Sequence, residues 1–194
     1  MKQTVKKAMR GDTDAFAELI ETYKVDLYKT AYAILDNNED AADAIQNTIL
    51  ICFEKIQDLR EARYFKTWMT RILINECRRM IREQQKRCLL EDFHEFPCTQ
   101  KSEDVSIEQV EFKELLQYLD EKYRVVVVLY YAQNYRVREI AELLEISENT
   151  VKTRLKRARE QLAKEYEVVE FPEREITPHI VETEETMPYR RECF

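Results

Sequence analysis

Residues 138–162 carry the sequence REIAELLEISENTVKTRLKRAREQL, which predicts two short helices joined by a tight turn. Ser147 stands where the N-cap of the second helix belongs. In that second helix apolar residues recur at steps of four, three and four, which places them in one narrow line on the helix surface. We call this line the apolar stripe and expect it to pack on the helix before; it consists of Val151, Leu155, Ala158 and Leu162.

The face opposite the apolar stripe is basic. Between Ser147 and Arg159 there are five basic side chains and one acidic one. A helix anchored on one side and offering hydrogen-bond donors on the other is typical of a recognition helix in the DNA major groove. The alternative is a solvated basic face on an ordinary surface helix. The donors on this face and its flanks are Asn149, Lys152, Thr153, Arg154, Lys156, Arg157 and Arg159.

Composition extends the helical prediction to the whole chain of 194 residues. The chain has one glycine, whereas parallel sheets, hairpin-rich barrels and phosphate-binding loops need several. We therefore predict an all-α fold. No apolar run reaches the roughly 18 residues that span a bilayer, and the N-terminus lacks the apolar region of a secretory signal. Five cysteines without a C-x-x-C pair favour a reducing cytoplasm.

The net charge of −7 is unevenly distributed along the chain. Residues 1–85 and residues 110–167 are each neutral, residues 86–109 carry −3, and residues 168–194 carry −4. We predict two small helical modules joined by a flexible acidic linker, 86–109, which is too short to hold another packed domain. The tail, 168–194, lacks a core pattern and is expected to be disordered or loosely docked.

The first module is expected to contain a short helix and then three long ones. Asp12 is a suitable N-cap for the second helix. On the inner side of the third helix, which extends to about residue 56, we expect Ala41, Ala44, Ile45, Thr48, Ile49, Cys52, Phe53 and Ile56.

The fourth helix is apolar around most of its surface. Phe65, Trp68, Met69, Ile72 and Met80 fill its core side, and Ile74, Cys77 and Ile81 form a further apolar edge. The exception is a line at steps of four, three and four, which we call the basic strip: Arg71, Asn75, Arg78 and Arg82. Such a strip is costly unless it meets a partner, and a phosphate backbone is the obvious candidate. The alternative is pairing with acids of neighbouring helices.

Catalytic and metal sites are not indicated. Cys77, Cys88, His94 and Cys98 lack the spacing of paired zinc ligands. Only two histidines are present, and no Ser/His/Asp or Cys/His arrangement is supported. We therefore expect no enzyme activity, no cofactor, no metal and no small-molecule substrate.

Four stretches, in this order and spacing, resemble the bacterial RNA polymerase sigma factors of the extracytoplasmic-function (ECF) group. They are GDTDAFAELIETYKVDLYKTAYAIL, EDAADAIQNTILICFEKI, FKTWMTRILINECRRMIR and SENTVKTRLKRAR. The resemblance covers roughly residues 1–167 and implies the two helical modules called region 2 and region 4. It implies a transcription initiation factor that binds core RNA polymerase and directs it to double-stranded, then melted, promoter DNA.

The resemblance also implies roles for the predicted surfaces. Region 2, residues 1–85, would dock on polymerase through Asp40, Asp43 and Gln46 and recognise the −10 element through the basic strip. Tyr64, in a segment resembling the loop that captures a flipped −10 base, would offer a stacking surface. Region 4, residues 110–167, would recognise the −35 element through the basic helix. For the acidic third helix, the alternative is a solvated face.

Two further expectations follow from the resemblance. Glu145 occupies a turn position where family members often have glycine, so a positive φ there would impose strain of order 1 kcal/mol. An anti-sigma factor, often membrane-anchored, is expected to hold the cytoplasmic protein inactive.

Two functions remain as alternatives: a stand-alone helix-turn-helix regulator, and an adaptor that binds only protein.

Overall fold

A computed structural model of the chain describes residues 1–90 and 107–165, with side chains for 1–86 and 112–164. Every regular element in these residues is helical. The tail 168–194, and all of the linker 86–109 except its two ends, lie outside them. The described residues contain eight α-helices, two 3₁₀ turns, Ile56–Asp58 and Ala62–Tyr64, and a π-helical turn, Val128–Ala132. These are α1 (Lys2–Ala8), α2 (Thr13–Leu35), α3 (Asn38–Lys55), α4 (Phe65–Leu90), α5 (Ile107–Gln117), α6 (Glu121–Val127), α7 (Val137–Leu144) and α8 (Glu148–Glu165).

Helices α1–α4 form the first module around a shared apolar core. Asp12 caps α2 as expected, since its Oδ1 accepts a hydrogen bond from the Ala15 backbone N–H at 2.9 Å. Asn37 caps α3 in the same way through the N–H groups of Glu39 and Asp40. The largest fully buried side chains of this core are Leu19, Leu27, Phe65, Met69 and Leu73.

Helices α5–α8 form the second module, and α7 and α8 make the predicted helix-turn-helix. All four residues of the apolar stripe are buried. Val151 and Leu155 lie in one cluster with residues of α7, whereas Ala158 and Leu162 lie in another with residues of α5 and α6. The recognition helix is therefore fixed along its length by the three helices before it.

The two modules pack against each other. Ile74 of α4, on the predicted apolar edge, is fully buried in one cluster with Val126 and Leu129 of the second module. Tyr32 and Ala33 of α2 are buried in a cluster with Leu116 and Leu119 and their neighbours. Ile74, Tyr32 and Ala33, which lie outside the first module's buried core, are thus covered by the second module.

The expected position of Phe53 is wrong. Its side chain is 51% exposed and meets Phe16 only edge-on, with ring centroids 5.3 Å apart. Cys52 and Ile56, one helical turn apart, are buried at the inner positions near the end of α3. Phe53 lies about 100° around the helix from Cys52, which places it at the rim of the core.

Within residues 1–90 and 107–165, no helix has the length and apolar character needed to cross a membrane.

The core position of α4 can be tested by truncation. We expect Leu73→Ala to lower the free energy of unfolding by about 2–5 kcal/mol, because it removes a fully buried side chain and leaves a cavity. Asn75→Ala, two residues further on and exposed, is the control and should change stability little. Urea unfolding followed by circular dichroism measures both, and equal losses would contradict this packing.

Burial also determines the reactivity of two cysteines. Desolvation raises the pKa of Cys52 to about 12 and, as the main cause, that of Cys77 to about 12 as well. Only about one such thiol in ten thousand is a thiolate at pH 8. We expect iodoacetamide to leave both unmodified in the native chain and to label both in urea, as peptide mass spectrometry would show. If iodoacetamide labelled the native chain as fast as the unfolded chain, Cys52 and Cys77 would not be buried.

Candidate nucleic-acid interface

The basic face of α8 is exposed. Asn149, Lys152, Thr153, Lys156 and Arg157 are all exposed, opposite the buried apolar stripe. The two flanking arginines, Arg154 and Arg159, are half-buried. On this face Lys156 Nζ lies 3.8 Å from a Glu160 carboxylate oxygen, and the Thr153 hydroxyl donates to the Asn149 carbonyl at 2.8 Å.

The turn before α8 determines the direction in which the basic face points. Glu145 ends α7 with φ 58° and ψ 41°, in the left-handed region. The Ile146 N–H donates to the Ala141 carbonyl at 3.0 Å. Ser147 then caps α8, since its Oγ accepts from the Thr150 N–H at 3.0 Å. The predicted N-cap is present, and Glu145 adopts the positive φ that glycine tolerates best.

The basic strip of α4 is divided between solvent and the second module. Asn75 and Arg82 are exposed, whereas Arg71 and Arg78 are half-buried. The Arg78 guanidinium donates to the Leu144 carbonyl at 2.8 Å, and that of Arg71 donates to the Glu142 carbonyl at 3.5 Å. Arg71 and Arg78 therefore bond to backbone carbonyls of α7. The predicted alternative to DNA binding, pairing with acidic side chains of neighbouring helices, did not include this kind of partner.

Tyr64 lies at the start of α4, at the end of the second 3₁₀ turn. Its side chain is half-buried, and the Arg63 guanidinium lies 4.7 Å from the centre of its ring. Arg63 in turn pairs with Glu61 at 2.7 Å. An aromatic ring that already stacks with a cation has the flat surface on which an unpaired base can stack.

The third helix has an exposed face that continues further than predicted. Asp43 and Gln46 are exposed, while Asp40 is half-buried and accepts a hydrogen bond from Gln84 at 3.0 Å. Leu50 is 61% exposed and, with Phe53, follows Asp43 and Gln46 at steps of four and three. The face therefore has a polar first half and an apolar second half. The sequence alone contains this signal, because steps of four and three from Gln46 lead to Leu50 and then to Phe53.

Clusters that could hold a metal are not found in the described residues. Of the four residues weighed for zinc, Cys77 is buried in the first core, and the other three lie where no side chain is described. The described chain thus offers two basic surfaces, on α4 and α8, and one mixed surface, on α3.

Comparison with known families assigns this fold to the sigma-70 class of transcription initiation factors. A family model described as "Sigma-70 region 2" matches residues 19–87, and one described as "Sigma-70, region 4" matches residues 109–162. The first match spans most of α2 to α4. The second begins within α5 and includes the recognition helix.

Relatives narrow the class to one group. The chain is 30% identical over 179 residues to the ECF RNA polymerase sigma factor SigW of Bacillus subtilis, covering 85% of this chain and 96% of that protein. It is 29% identical to SigV of the same organism, covering 75% and 90%. The chain belongs to the ECF sigma factors. It is an alternative sigma factor, which directs RNA polymerase to promoters.

Solved structures share the fold. A structure of CnrH in complex with the cytosolic domain of CnrY matches with a TM-score of 0.60 at 24% identity, covering 84% of this chain and 94% of that one. The sigma factor RpoE of Bartonella quintana, in complex with the anti-sigma factor NepR, matches with a TM-score of 0.63 at 22% identity, covering 77% and 94%.

The turn before α8 gives a prediction about stability. Glu145→Gly should raise the free energy of unfolding by about 0.5–1 kcal/mol, because glycine adopts a positive φ without strain. Glu160→Gly places the same substitution at an exposed position within α8, where it should cost about 1 kcal/mol. Chemical unfolding measures both. A loss of stability at both positions would show that the turn is not strained.

Proposed function

We propose that α8 reads the −35 element, with Lys152, Thr153 and Lys156 contacting bases. Arg154 and Arg159, at the edges of the face, contact phosphates, and Asn149 and Arg157 complete the surface. The observation that carries this proposal is the exposure of the basic face directly opposite the buried apolar stripe. A helix held in this way can enter the major groove with its donors pointing at base edges.

The −10 element is assigned to the first module. Arg71, Asn75, Arg78 and Arg82 supply donors for DNA along α4, and Tyr64 supplies the surface on which a flipped base stacks. Flipping a base out of the −10 strand costs a few kcal/mol because stacking is lost. Stacking on Tyr64 partly offsets this cost. The chemistry of transcription belongs to the polymerase, and this chain acts as a binding factor without catalysis of its own.

Core polymerase docks on the exposed face of α3 in this proposal. Asp40, Asp43 and Gln46 provide polar contacts, and Leu50 and Phe53 provide the apolar part. Exposed large apolar side chains beside a polar group are typical of a protein interface. The same face is the surface through which an anti-sigma factor keeps the chain from polymerase, because two partners on one surface exclude each other. We place the protein in the cytoplasm, where its polymerase acts, and at the membrane when an anchored anti-sigma factor holds it.

A transcription experiment tests the function as a whole. Core RNA polymerase is incubated with the chain and a library of randomised upstream DNA, and the transcripts are sequenced. We expect start sites that share two upstream motifs and that appear only when the chain is present. Duplex binding without any polymerase-dependent transcript would instead support the stand-alone regulator.

Base and phosphate contacts can be separated on α8. Lys156→Ala should change the preferred base at particular −35 positions, with a cost of about 1–3 kcal/mol per lost contact. Arg159→Ala should weaken all sequences alike and reduce the salt slope by about one. Lys164→Ala, exposed near the end of α8, is the control without effect. Affinity is measured by fluorescence anisotropy against a −35 library, and the same uniform loss for Lys156→Ala and Arg159→Ala would refute these roles.

The α3 face can be tested against a matched position. Leu50→Ser should weaken binding to core polymerase by about ten- to one-hundredfold, as expected when one buried leucine is lost from an interface. Val25→Ser, on α2, also removes an exposed aliphatic side chain, 49% exposed, and should bind normally. Labelled chain titrated with core polymerase gives both affinities. If Leu50→Ser bound as tightly as Val25→Ser, polymerase would dock elsewhere.

A further inference from the structure

We propose that α1 binds the phosphate backbone of single-stranded promoter DNA through Lys6, Lys7 and Arg10. The strand that it holds is the one whose flipped base stacks on Tyr64. The proposal rests on the role proposed above for Tyr64, and it extends the −10 surface from α4 to α1.

Residues 1–11 are basic in an otherwise acidic chain. They contain no acidic side chain, whereas the whole chain has a net charge of −7. Their basic side chains are all exposed: Lys2, Lys6, Lys7 and Arg10. Among the residues whose side chains are described, none of these four forms an ion pair or a side-chain hydrogen bond. Glu18 of α2, which reaches α1, accepts instead from the Thr4 hydroxyl at 3.5 Å.

Helix α1 is fixed on the first module by its apolar side. Val5 and Ala8 are 2% and 1% exposed and belong to the buried core of that module. Successive residues of a helix point about 100° apart, so Lys6 and Lys7 point away from this core. A helix that is already ordered loses little conformational entropy when its side chains meet a ligand.

The basic side of α1 lies beside the turn that carries Tyr64. Cα atoms of α1 come within 8 Å of Cα atoms in the 3₁₀ turn Ala62–Tyr64. Gly11, which follows Arg10, lies next to the other 3₁₀ turn, because a Cβ added to it would be 3.8 Å from Nε2 of Gln57. The backbone of Gly11 has φ 92°, a conformation that glycine adopts readily. The end of α1 and both 3₁₀ turns therefore form one surface.

The segment around Tyr64 has no net charge with which to hold DNA. Residues 57–64 contain two acidic and two basic side chains. One of these bases, Arg63, pairs with Glu61 at 2.7 Å and lies against the ring of Tyr64. A base that stacks on the ring brings the charged phosphates on either side of it to this surface. Helix α1 supplies the cations that the segment lacks.

The lysines of α1 have a structural alternative. Lys6 and Lys7 form the last turn of α1, where cations interact favourably with the negative end of the helix dipole. This role needs no DNA. The experiment therefore measures both DNA binding and the stability of each variant.

Salt dependence measures how many phosphates the chain neutralises. For single-stranded DNA, the logarithm of the binding constant falls with the logarithm of the salt concentration by about 0.7 for each phosphate neutralised. The full chain is titrated against a fluorescein-labelled single strand of mixed sequence, roughly 12 nucleotides long, and anisotropy is followed at about 50–200 mM NaCl. We expect Lys6→Ala with Lys7→Ala to reduce the slope by about 1.4, and adding Arg10→Ala to reduce it by about 0.7 more.

Two control variants isolate the position and the charge. Lys122→Ala with Lys164→Ala removes the same charge from exposed sites in the second module and should leave the slope unchanged. Lys6→Arg with Lys7→Arg keeps both charges and should keep the slope of the unmodified chain. A lower melting temperature for Lys6→Ala with Lys7→Ala, together with an unchanged slope, would show that these lysines act only on the helix and would overturn the proposal.

Tyr64→Ala separates this proposal from the one on which it rests. Loss of stacking should weaken binding about tenfold while leaving the slope unchanged, because stacking neutralises no phosphate. If Tyr64→Ala had no effect but the α1 variants lowered the slope, the stacking role would fail and the phosphate-binding role of α1 would stand. If Tyr64→Ala weakened binding and the α1 variants kept the full slope, the role of α1 alone would be refuted.

A protein partner for α1 is the other outcome. Each variant is also titrated with core RNA polymerase, and we expect the α1 variants to bind it as tightly as the unmodified chain does. Weaker polymerase binding with an unchanged DNA slope would make α1 a protein-docking surface and would overturn its assignment to DNA.

Discussion

Helix α4 is apolar on two sides because two different sets of helices pack against it. Phe65, Met69 and Leu73 face the core of the first module, and Ile74, one residue further, faces the second. Adjacent residues on a helix point about 100° apart, so a single helix can serve both cores. Two residues of the basic strip, Arg71 and Arg78, bond to carbonyls of the second module, whereas Asn75 and Arg82 are exposed.

The boundary between the modules combines favourable and unfavourable terms. Burial of Ile74, Tyr32 and Ala33 stabilises it. The polar contacts add little net stability, because each exchanges a hydrogen bond with water for one within the protein. Gln133 Oε1 is buried without a hydrogen-bond partner among residues 1–90 and 107–165, which costs about 1–3 kcal/mol. A contact with this balance is one that a tightly bound partner can open.

Local features of the fold could be predicted from the sequence. The apolar stripe of α8, the N-caps at Asp12 and Ser147 and the basic strip depend on spacing and on side-chain chemistry within one helix. Such features do not depend on which other helix lies nearby. The strained turn at Glu145 was also accessible, because its place in a helix-turn-helix determines its backbone conformation.

Features that depend on distant parts of the chain could not be predicted in this way. Periodicity assigned Phe53 to an inner face, but only the positions of Cys52 and Ile56 show where that face ends. The burial of Tyr32 and Ala33, and the insertion of Gln133 between α2 and α4, join segments about 100 residues apart. The pattern of one helix shows that a side is apolar and leaves open which helix covers it.

A distance between the modules tests the central claim most directly. Spin labels at Ala17→Cys on α2 and Ala163→Cys on α8, both exposed positions, would be placed in a chain whose Cys88, Cys98 and Cys193 are replaced by serine. Double electron–electron resonance should give a single distance below about 40 Å in the free chain. Addition of core RNA polymerase should lengthen it by tens of ångströms. The same short distance with and without polymerase would contradict an account in which the two modules read separate promoter elements.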